Sequence, residues 1–176
     1  MVGKHRRVRF LVRLATSQKE HFYRWIHHHS LMHYRNAEFR YPKNTRFSCS
    51  RCMLCCGNTE TKDRHILTLE KEAKMISKVT LKPVEIFACR IAGHEPYVYE
   101  MKKDKYGRCI FLGPNTCTIY ALRPLVCRCY PFELKHEENG SPLFFPTSEC
   151  PGLGVGEVLE ESFFVDLFRL ARELVS

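Results

Sequence analysis

Residues 47–58 read FSCSRCMLCCGN and place four cysteines within eight positions, in the pattern C-x2-C-x2-C-C. Two cysteines separated by two residues can turn both sulfurs inward from one tight loop, a spacing found in zinc and iron–sulfur sites. Cys49, Cys52 and Cys55 extend this loop to a three-point clamp, like the start of the ferredoxin-type run C-x2-C-x2-C-x3-C-P. A cysteine before a proline is present but distant, at Cys150. The spacing therefore favours a four-iron cluster held by this loop and one remote segment.

The chain has 176 residues, which suits one domain that can bury a core without help from cross-links. The basic N-terminus lacks the apolar core of a signal peptide, because Arg7, Arg9 and Arg13 interrupt it. No apolar run reaches 18 residues, so we expect no membrane partner. We therefore expect a cytoplasmic protein, in which clustered cysteines bind metal or act chemically rather than form disulfides.

The hydrophobic pattern predicts an α+β fold: one small metal-binding domain of short helices and β-hairpins over residues 46–176. It is preceded by a basic extension over residues 1–45 that is rich in histidine and aromatic residues. Within the extension, residues 7–14 alternate like a strand and residues 17–34 have helical spacing.

Four elements are predicted inside the domain. A helix is expected over 65–79, with Thr68 as its N-cap and with Leu69, Ala73 and Ile76 facing inward. One hairpin joins Tyr97–Met101 to Arg108–Leu112, and a second turns at Asn139-Gly140. A final helix over 157–175 carries an apolar stripe made of Leu159, Phe163, Leu167, Leu170 and Leu174.

More cysteines occur in CIFLGPNTCTIYALRPLVCRCYPF, residues 109–132, and in SECPGLGVG, residues 148–156. Together with FSCSRCMLCCG and ILTLEKEAKMI, and in this order, these motifs resemble the YkgJ-like CxxCxxCC cysteine-cluster family over about residues 46–156. The resemblance implies a zinc- or iron-chelating domain and a relationship to flagellin lysine N-methylase. Carried over by position, it implies eight metal ligands, which are Cys49, Cys52, Cys55, Cys56, Cys109, Cys117, Cys127 and Cys150.

Cys56 leaves the number of metal sites open. Adjacent side chains tend to diverge, so Cys55 and Cys56 are poorly placed to bind one small ion. They could face two metals, or Cys56 could support the site from outside it. Eight cysteines suit either two four-thiolate sites or one cluster with spare thiols. Thiolate-rich ligation selects an iron–sulfur cluster (4Fe-4S by the spacing) or zinc over magnesium, calcium or manganese.

Other residues near the motifs have weaker signals. Cys89 and Cys129 match no family position and read most simply as buried apolar residues, although Cys129 is also an alternative ligand. Arg123 and Arg128 flank a predicted ligand and could balance thiolate charge or be ordinary surface charges. His65 is either a ligand or a polar loop residue.

The glycine-rich stretch at residues 152–156 precedes the last helix, where its amides could receive an anion. It falls short of a dinucleotide fingerprint. No Ser-His-Asp set, H-E-x-x-H or phosphate loop is present in the sequence.

The net charge of +9 belongs to the first 48 residues, which hold 11 Lys/Arg and two Asp/Glu. Through residues 4–46 this arm could contact phosphates and stack on bases of a nucleic acid. The simpler reading is a solvated basic face that docks on an acidic protein or on the chain's own acidic C-terminal helix, because no recognised nucleic-acid-binding motif accompanies the charge. The relevant side chains are Arg7, Arg9, Arg13, Arg24, Arg35, Arg40, Lys43 and Arg46, interleaved with Phe22, Tyr23, Trp25, Tyr34 and Tyr41.

Two functions from different classes follow. The first is a metal-centre protein with redox or protein-methylation chemistry, acting as an iron–sulfur oxidoreductase or an N-methyltransferase-like protein with a redox or other protein partner. The second is a structural zinc domain that binds nucleic acid or protein through its basic arm.

Overall fold

The computed structural model describes residues 39–137 and 141–175. These residues form three small antiparallel sheets and short helices around three apolar clusters, which confirms the predicted α+β class. The predicted strand at 7–14 and helix at 17–34 lie outside the described residues. No helix in the described ranges is long and apolar enough to cross a membrane.

The first sheet has the order β2–β4–β3, with β2 at Leu67–Leu69, β3 at Ala88–Arg90 and β4 at Tyr97–Met101. The predicted strand at 97–101 is therefore present, but its predicted partner at 108–112 is wrong. The side chains at both ends of β4 are buried, which explains the difference. A strand in the middle of a sheet buries more side-chain surface than one strand of an isolated hairpin does. Residues 103 and 109 form only an isolated bridge beside the turn.

Helix α1 spans Glu70–Thr80 and packs Ala73 and Ile76 fully into the core, as the sequence predicted. Its predicted N-cap, Thr68, is wrong by one residue, because Thr68 is buried in strand β2 and Leu69 is the N-cap. The carboxylate of Glu72 accepts the backbone N–H of Leu69 at 3.0 Å. This contact satisfies one of the free amides at the start of the helix.

Glu72 also connects two helices. Its second oxygen accepts the backbone N–H of Leu125 at 2.6 Å, at the start of helix α3, Leu125–Cys129. Burial raises the pKa of the Glu72 carboxyl group, while its two backbone hydrogen bonds act in the opposite direction. Helix α2 spans Val84–Phe87 and lies between α1 and β3 in the chain. It buries Phe87.

The second half of the domain is an aromatic core. Strands β5, Phe132–His136, and β6, Pro142–Pro146, form the predicted second hairpin, whose turn residues 138–140 lie outside the described ranges. Helix α4, Glu161–Val175, packs on this hairpin. The rings in this core belong to Phe39, Phe132, Phe144, Phe164 and Phe168.

Helix α4 begins later than predicted, because residues Leu153–Val158 form strand β7 and pair with β1, Arg46–Phe47. Its buried face consists of Phe164, Leu167, Phe168 and Ala171, so the predicted stripe shares only Leu167 with it. Phe39 and Tyr41 pack against the same aromatic core. The boundary between the basic extension and the domain at residues 45 and 46 stays a prediction.

Replacement of Glu72 tests whether its carboxylate holds the starts of α1 and α3 together. Glu72→Ala leaves two buried amides without an acceptor and should lower the free energy of unfolding by about 3 kcal/mol. The matched control is Glu70→Ala, which removes an exposed i,i+4 pair with Lys74 and should leave the free energy of unfolding nearly unchanged. Urea titrations of the two variants in the same reducing buffer make the comparison. Equal losses would contradict the role of Glu72.

Candidate metal centre

One cavity of about 250 Å³ contains all eight cysteines that the sequence analysis proposed as ligands. Cys89 and Cys129 do not line it. Among the described residues, its walls contain no aspartate, glutamate or histidine, and its other polar side chains come from Ser50, Arg51, Thr116, Tyr120, Arg123, Arg128 and Tyr130. Within the same ranges, no three Cys, His, Asp or Glu side chains are already arranged to hold an ion. The donor set is thus purely thiol, which fits zinc or iron–sulfur chemistry.

The loop at residues 48–57 curls around the cavity because two of its residues adopt left-handed backbone conformations. The φ angle is 55° at Arg51 and 65° at Met53. A 3-10 turn, Leu54–Cys56, follows and closes with a 2.9 Å hydrogen bond from the Cys56 N–H to the Met53 carbonyl oxygen. Left-handed residues alternating with ordinary ones are typical of loops whose amides converge on an anion or an iron–sulfur cluster. The same curvature brings the loop's cysteines to one cavity wall.

The pairing of β1 with β7 brings Cys150 to this loop. The Ser48 N–H donates to the Gly152 carbonyl oxygen at 3.1 Å, two residues from Cys150. A Cβ atom on Gly152 would lie 2.4 Å from the Ser48 carbonyl oxygen, so only glycine permits the approach. As a result, the Cys150 thiol lies within electrostatic range of Cys52 and Cys55. We call Cys49, Cys52, Cys55 and Cys150 the outer group.

The glycine-rich stretch at residues 152–156 does not lie at the start of the last helix, where its amides could have received an anion. Residues 153–158 form strand β7 rather than an amide cradle at the start of the last helix. The glycines permit close strand pairing with residues 46–48, since a Cβ atom on Gly156 would lie 2.7 Å from the Ser48 Cβ. The possible anion site at residues 152–156 is not supported, because these residues lie in and before strand β7 rather than at the start of the last helix.

The remaining four thiols pack in the apolar core, and we call them the inner group. Cys56, Cys109, Cys117 and Cys127 all pack with one apolar cluster that includes Ile66, Phe87 and Phe111. The Cys109 N–H donates to the Cys56 carbonyl oxygen at 2.7 Å, and Cys117 is bridged to Leu112. Cys127 comes from helix α3. Four separate chain segments thus meet at the floor of the cavity.

Exposure distinguishes the two groups only at the extremes. In the outer group, Cys49 and Cys52 are exposed, whereas Cys55 and Cys150 are half-buried. In the inner group, Cys109 is buried and the other three thiols belong to half-buried residues. The most exposed thiols therefore belong to the outer group and the most buried one to the inner group, while packing in the apolar cluster defines the rest of the division.

Cys55 and Cys56 stand at the junction of the groups. Their Sγ atoms are 3.9 Å apart. A hydrogen bond from the Cys56 thiol lowers the pKa of Cys55, and the same bond raises the pKa of Cys56. Cys55 is thus the thiol of this pair that ionises first.

Two kinds of donor stabilise sulfur charge in the cavity. The backbone amides of Phe111, Ile119 and Gly152 donate to the thiols of Cys109, Cys117 and Cys150, each two residues before its donor. The guanidinium groups of Arg64 and Arg123 lower the pKa of Cys55 further. Hydrogen bonds and cations of this kind tune metal-bound sulfur.

Arg123 lies 3.9 Å above the ring of Tyr120, and Arg51 lies 5.5 Å from the same ring on the loop side. Arg64 is buried, pairs with Glu149 and lies over Tyr130. Sequence analysis missed Arg64, because nothing in its local pattern marks it as a neighbour of remote thiols. It also missed Arg51, although Arg51 lies inside the cysteine motif, between Cys49 and Cys52.

The hydrogen bonds of Arg128 and His65 show what these two side chains do. Arg128 donates to the carbonyl oxygens of Arg123 and Ala121, so it holds the backbone beside the cavity. His65 hydrogen-bonds to Glu100 at 2.7 Å and does not line the cavity, which agrees with the polar-loop reading.

The two extra cysteines differ from each other. The expected burial of Cys89 is wrong, because it lies exposed on strand β3 opposite Glu100. Cys129 packs with the aromatic core, and burial raises its pKa to about 12. Because Cys129 faces the core and Cys127 faces the cavity, the alternative ligand assignment for Cys129 is not supported.

Comparison with known proteins adds a family match. The CxxCxxCC family, described as a zinc- or iron-chelating domain, matches residues 48–150, more than half of the chain. "Uncharacterized protein MJ0661" of Methanocaldococcus jannaschii is 27% identical over 130 residues, covering 70% of this chain and 68% of that protein. "Uncharacterized protein MJ0939" of the same organism is 26% identical over 121 residues, covering 66% of this chain and 40% of that protein. No solved structure matches the chain.

Metal binding should strengthen as pH rises. Burial raises the pKa values of Cys109, Cys117, Cys127 and Cys150, so these thiols hold their protons near neutral pH before a metal binds. Ligation requires thiolates, so each such ligand releases a proton and contributes about a tenfold gain in apparent affinity per pH unit. Chelator competition with Zn²⁺ at pH 6.5 and 7.5, with proton release measured in parallel, checks this. An affinity that is independent of pH would contradict thiol ligation.

Proposed function

The chain belongs to the CxxCxxCC family of zinc- or iron-chelating domains, and from this premise we propose that it is an iron–sulfur protein with a redox role. It is a metal-binding cysteine-cluster protein, and the proposal concerns which metal it binds and for what purpose. The observation that carries the proposal is the cavity, whose walls in the described residues offer eight thiols and no carboxylate or imidazole. Such a surplus of thiols exceeds what one zinc ion needs.

The outer group is proposed as the ligand set of a 4Fe-4S cluster. Cys49, Cys52 and Cys55 have the C-x2-C-x2-C spacing of ferredoxin loops, and Cys150 supplies the cysteine before proline. The close backbone contact between Ser48 and Gly152 supports this set, because it brings Cys150 beside the loop. The left-handed residues of the loop support it as well, since such backbone surrounds many iron–sulfur sites.

A cluster bound there would supply one-electron chemistry close to the surface. The exposed side chains of Cys49 and Cys52 place the outer group where a redox partner protein could approach. The apolar walls from Ile66, Met101 and Ile119 limit water at the inner end of the cavity. Arg64 and Arg123 offset part of the negative charge of four thiolates.

A reducing, cytoplasmic setting belongs to the same proposal, because free thiols and iron–sulfur clusters persist there. A role in protein methylation, the other expectation from the resemblance to flagellin lysine N-methylase, rests on family relationship alone.

A structural zinc domain that binds nucleic acid is the second candidate, favoured by the charge of residues 1–48. Most of that arm lies outside the described residues. Within them, Arg46 donates to the Gly156 carbonyl oxygen and Arg40 pairs with Glu137, so these two cations also serve the fold. Binding to single-stranded nucleic acid that weakens steeply with salt would support this candidate.

Anaerobic purification of the wild-type protein tests the iron proposal. We expect a brown protein with about four irons and four acid-labile sulfides per chain. Cys150→Ala should lose most of both, because it removes the ligand that the loop cannot replace. Cys89→Ala, which changes an exposed thiol outside the cavity, should keep the wild-type content. A colourless wild-type protein that contains zinc and no sulfide would overturn the proposal.

A further inference from the structure

The inner group is a second set of thiols that the proposed cluster does not use. Cys56, Cys109, Cys117 and Cys127 pack with the same apolar cluster, and no other cysteine of the described residues belongs to that cluster. All four line the cavity as well. Core packing therefore selects these four side chains from the eight cysteines that line the cavity.

The inner thiols also lie near one another. Cys56 is within electrostatic range of Cys117 and Cys127, and Cys127 is within range of Cys109. Cys109 in turn is within electrostatic range of Cys117, so each of the four inner thiols lies near at least one other. Their backbones are joined by the 2.7 Å hydrogen bond from the Cys109 N–H to the Cys56 carbonyl oxygen.

Cys55 lies between the two groups, because it is close to Cys150 and also to Cys117 and Cys127. Packing assigns it to the outer group, since Cys56 belongs to the inner apolar cluster and Cys55 does not. The 3.9 Å between their sulfur atoms places the two groups side by side. Cys55 and Cys56 therefore belong to two neighbouring groups of thiols, which accounts for the C-C pair that ends the motif.

We propose that the inner group binds a single Zn²⁺ in a closed four-thiolate site, separate from the iron centre of the outer group. This assignment rests on the proposed function in one respect. The proposed iron centre uses the outer group and therefore leaves these four thiols for a second metal. Structural zinc sites are tetrahedral and fully occupied by protein ligands, and four cysteines are a common set. No carboxylate or imidazole of the described residues lines the cavity. The Glu72 carboxylate lies within electrostatic range of Cys127, but its two oxygens accept the backbone N–H groups of Leu69 and Leu125.

The zinc site would have a structural role. Its ligands come from the metal-binding loop, from the turn at 109–112, from the segment before Tyr120 and from helix α3. One ion would therefore cross-link four chain segments that already share one apolar cluster. Metal binding of this kind contributes directly to folding.

The test begins with the wild-type chain produced with both metals and purified without oxygen. We expect one zinc per chain in addition to the iron and sulfide. Exposure to air should bleach the iron centre and release its iron, while the zinc stays bound at one per chain. Because this measurement uses the wild-type protein, it does not depend on the folding of any variant. Zinc that is absent, or that leaves together with the iron, would overturn the proposal.

Variants then assign the ligands. Cys117→Ala should lose the zinc and have a lower melting temperature than the wild type. After air exposure, Cys150→Ala should retain one zinc per chain and have the same melting temperature as the air-exposed wild type. Cys129→Ala is the matched control, since it removes a buried thiol that does not line the cavity. If the wild type contains two zincs and no iron, and Cys117→Ala lowers the count to one, the iron proposal fails and the inner site stands. Loss of all metal from Cys150→Ala would show a single shared centre and overturn the inner site.

Discussion

The architecture of the candidate site depends on one loop that is held by backbone contacts on both sides. On one side the Ser48 N–H donates to the Gly152 carbonyl oxygen, and on the other the Cys109 N–H donates to that of Cys56. Asn58 adds a third bond, from its N–H to the Gly107 carbonyl oxygen at 2.9 Å. The first contact brings Cys150 to the loop and the second brings Cys109, so the loop stands between the outer group and the inner group.

The sequence was sufficient for the fold class and for the thiols that line the cavity, because short-range cysteine spacing and family resemblance carry that information. The grouping of the thiols required the structure. Cys127 and Cys129 illustrate why, since two residues on a helix are about 200° apart and face opposite sides. Only the packing of α3 shows which side is the cavity.

Several of the wrong predictions arise where pairing between distant segments overrides the local pattern. Strand β4 has a local hairpin signal at its end but is paired by β2 and β3, which lie earlier in the chain. Residues 153–156 look like a flexible turn before a helix, yet their glycines allow β7 to approach Ser48. Arg64 is a similar case, because its partners Glu149 and Tyr130 are more than 60 positions away in the chain.

The central claim is that the metal sites of this chain are built from sulfur ligands alone. X-ray absorption spectra at the iron and zinc edges of one anaerobic wild-type sample test it most directly. Both edges should show a first shell of sulfur, with zinc–sulfur distances of about 2.3 Å and four sulfurs at zinc. Nitrogen or oxygen neighbours at about 2.0 Å at either edge would contradict it, because histidine or carboxylate ligands would then have to come from outside the described walls of the cavity.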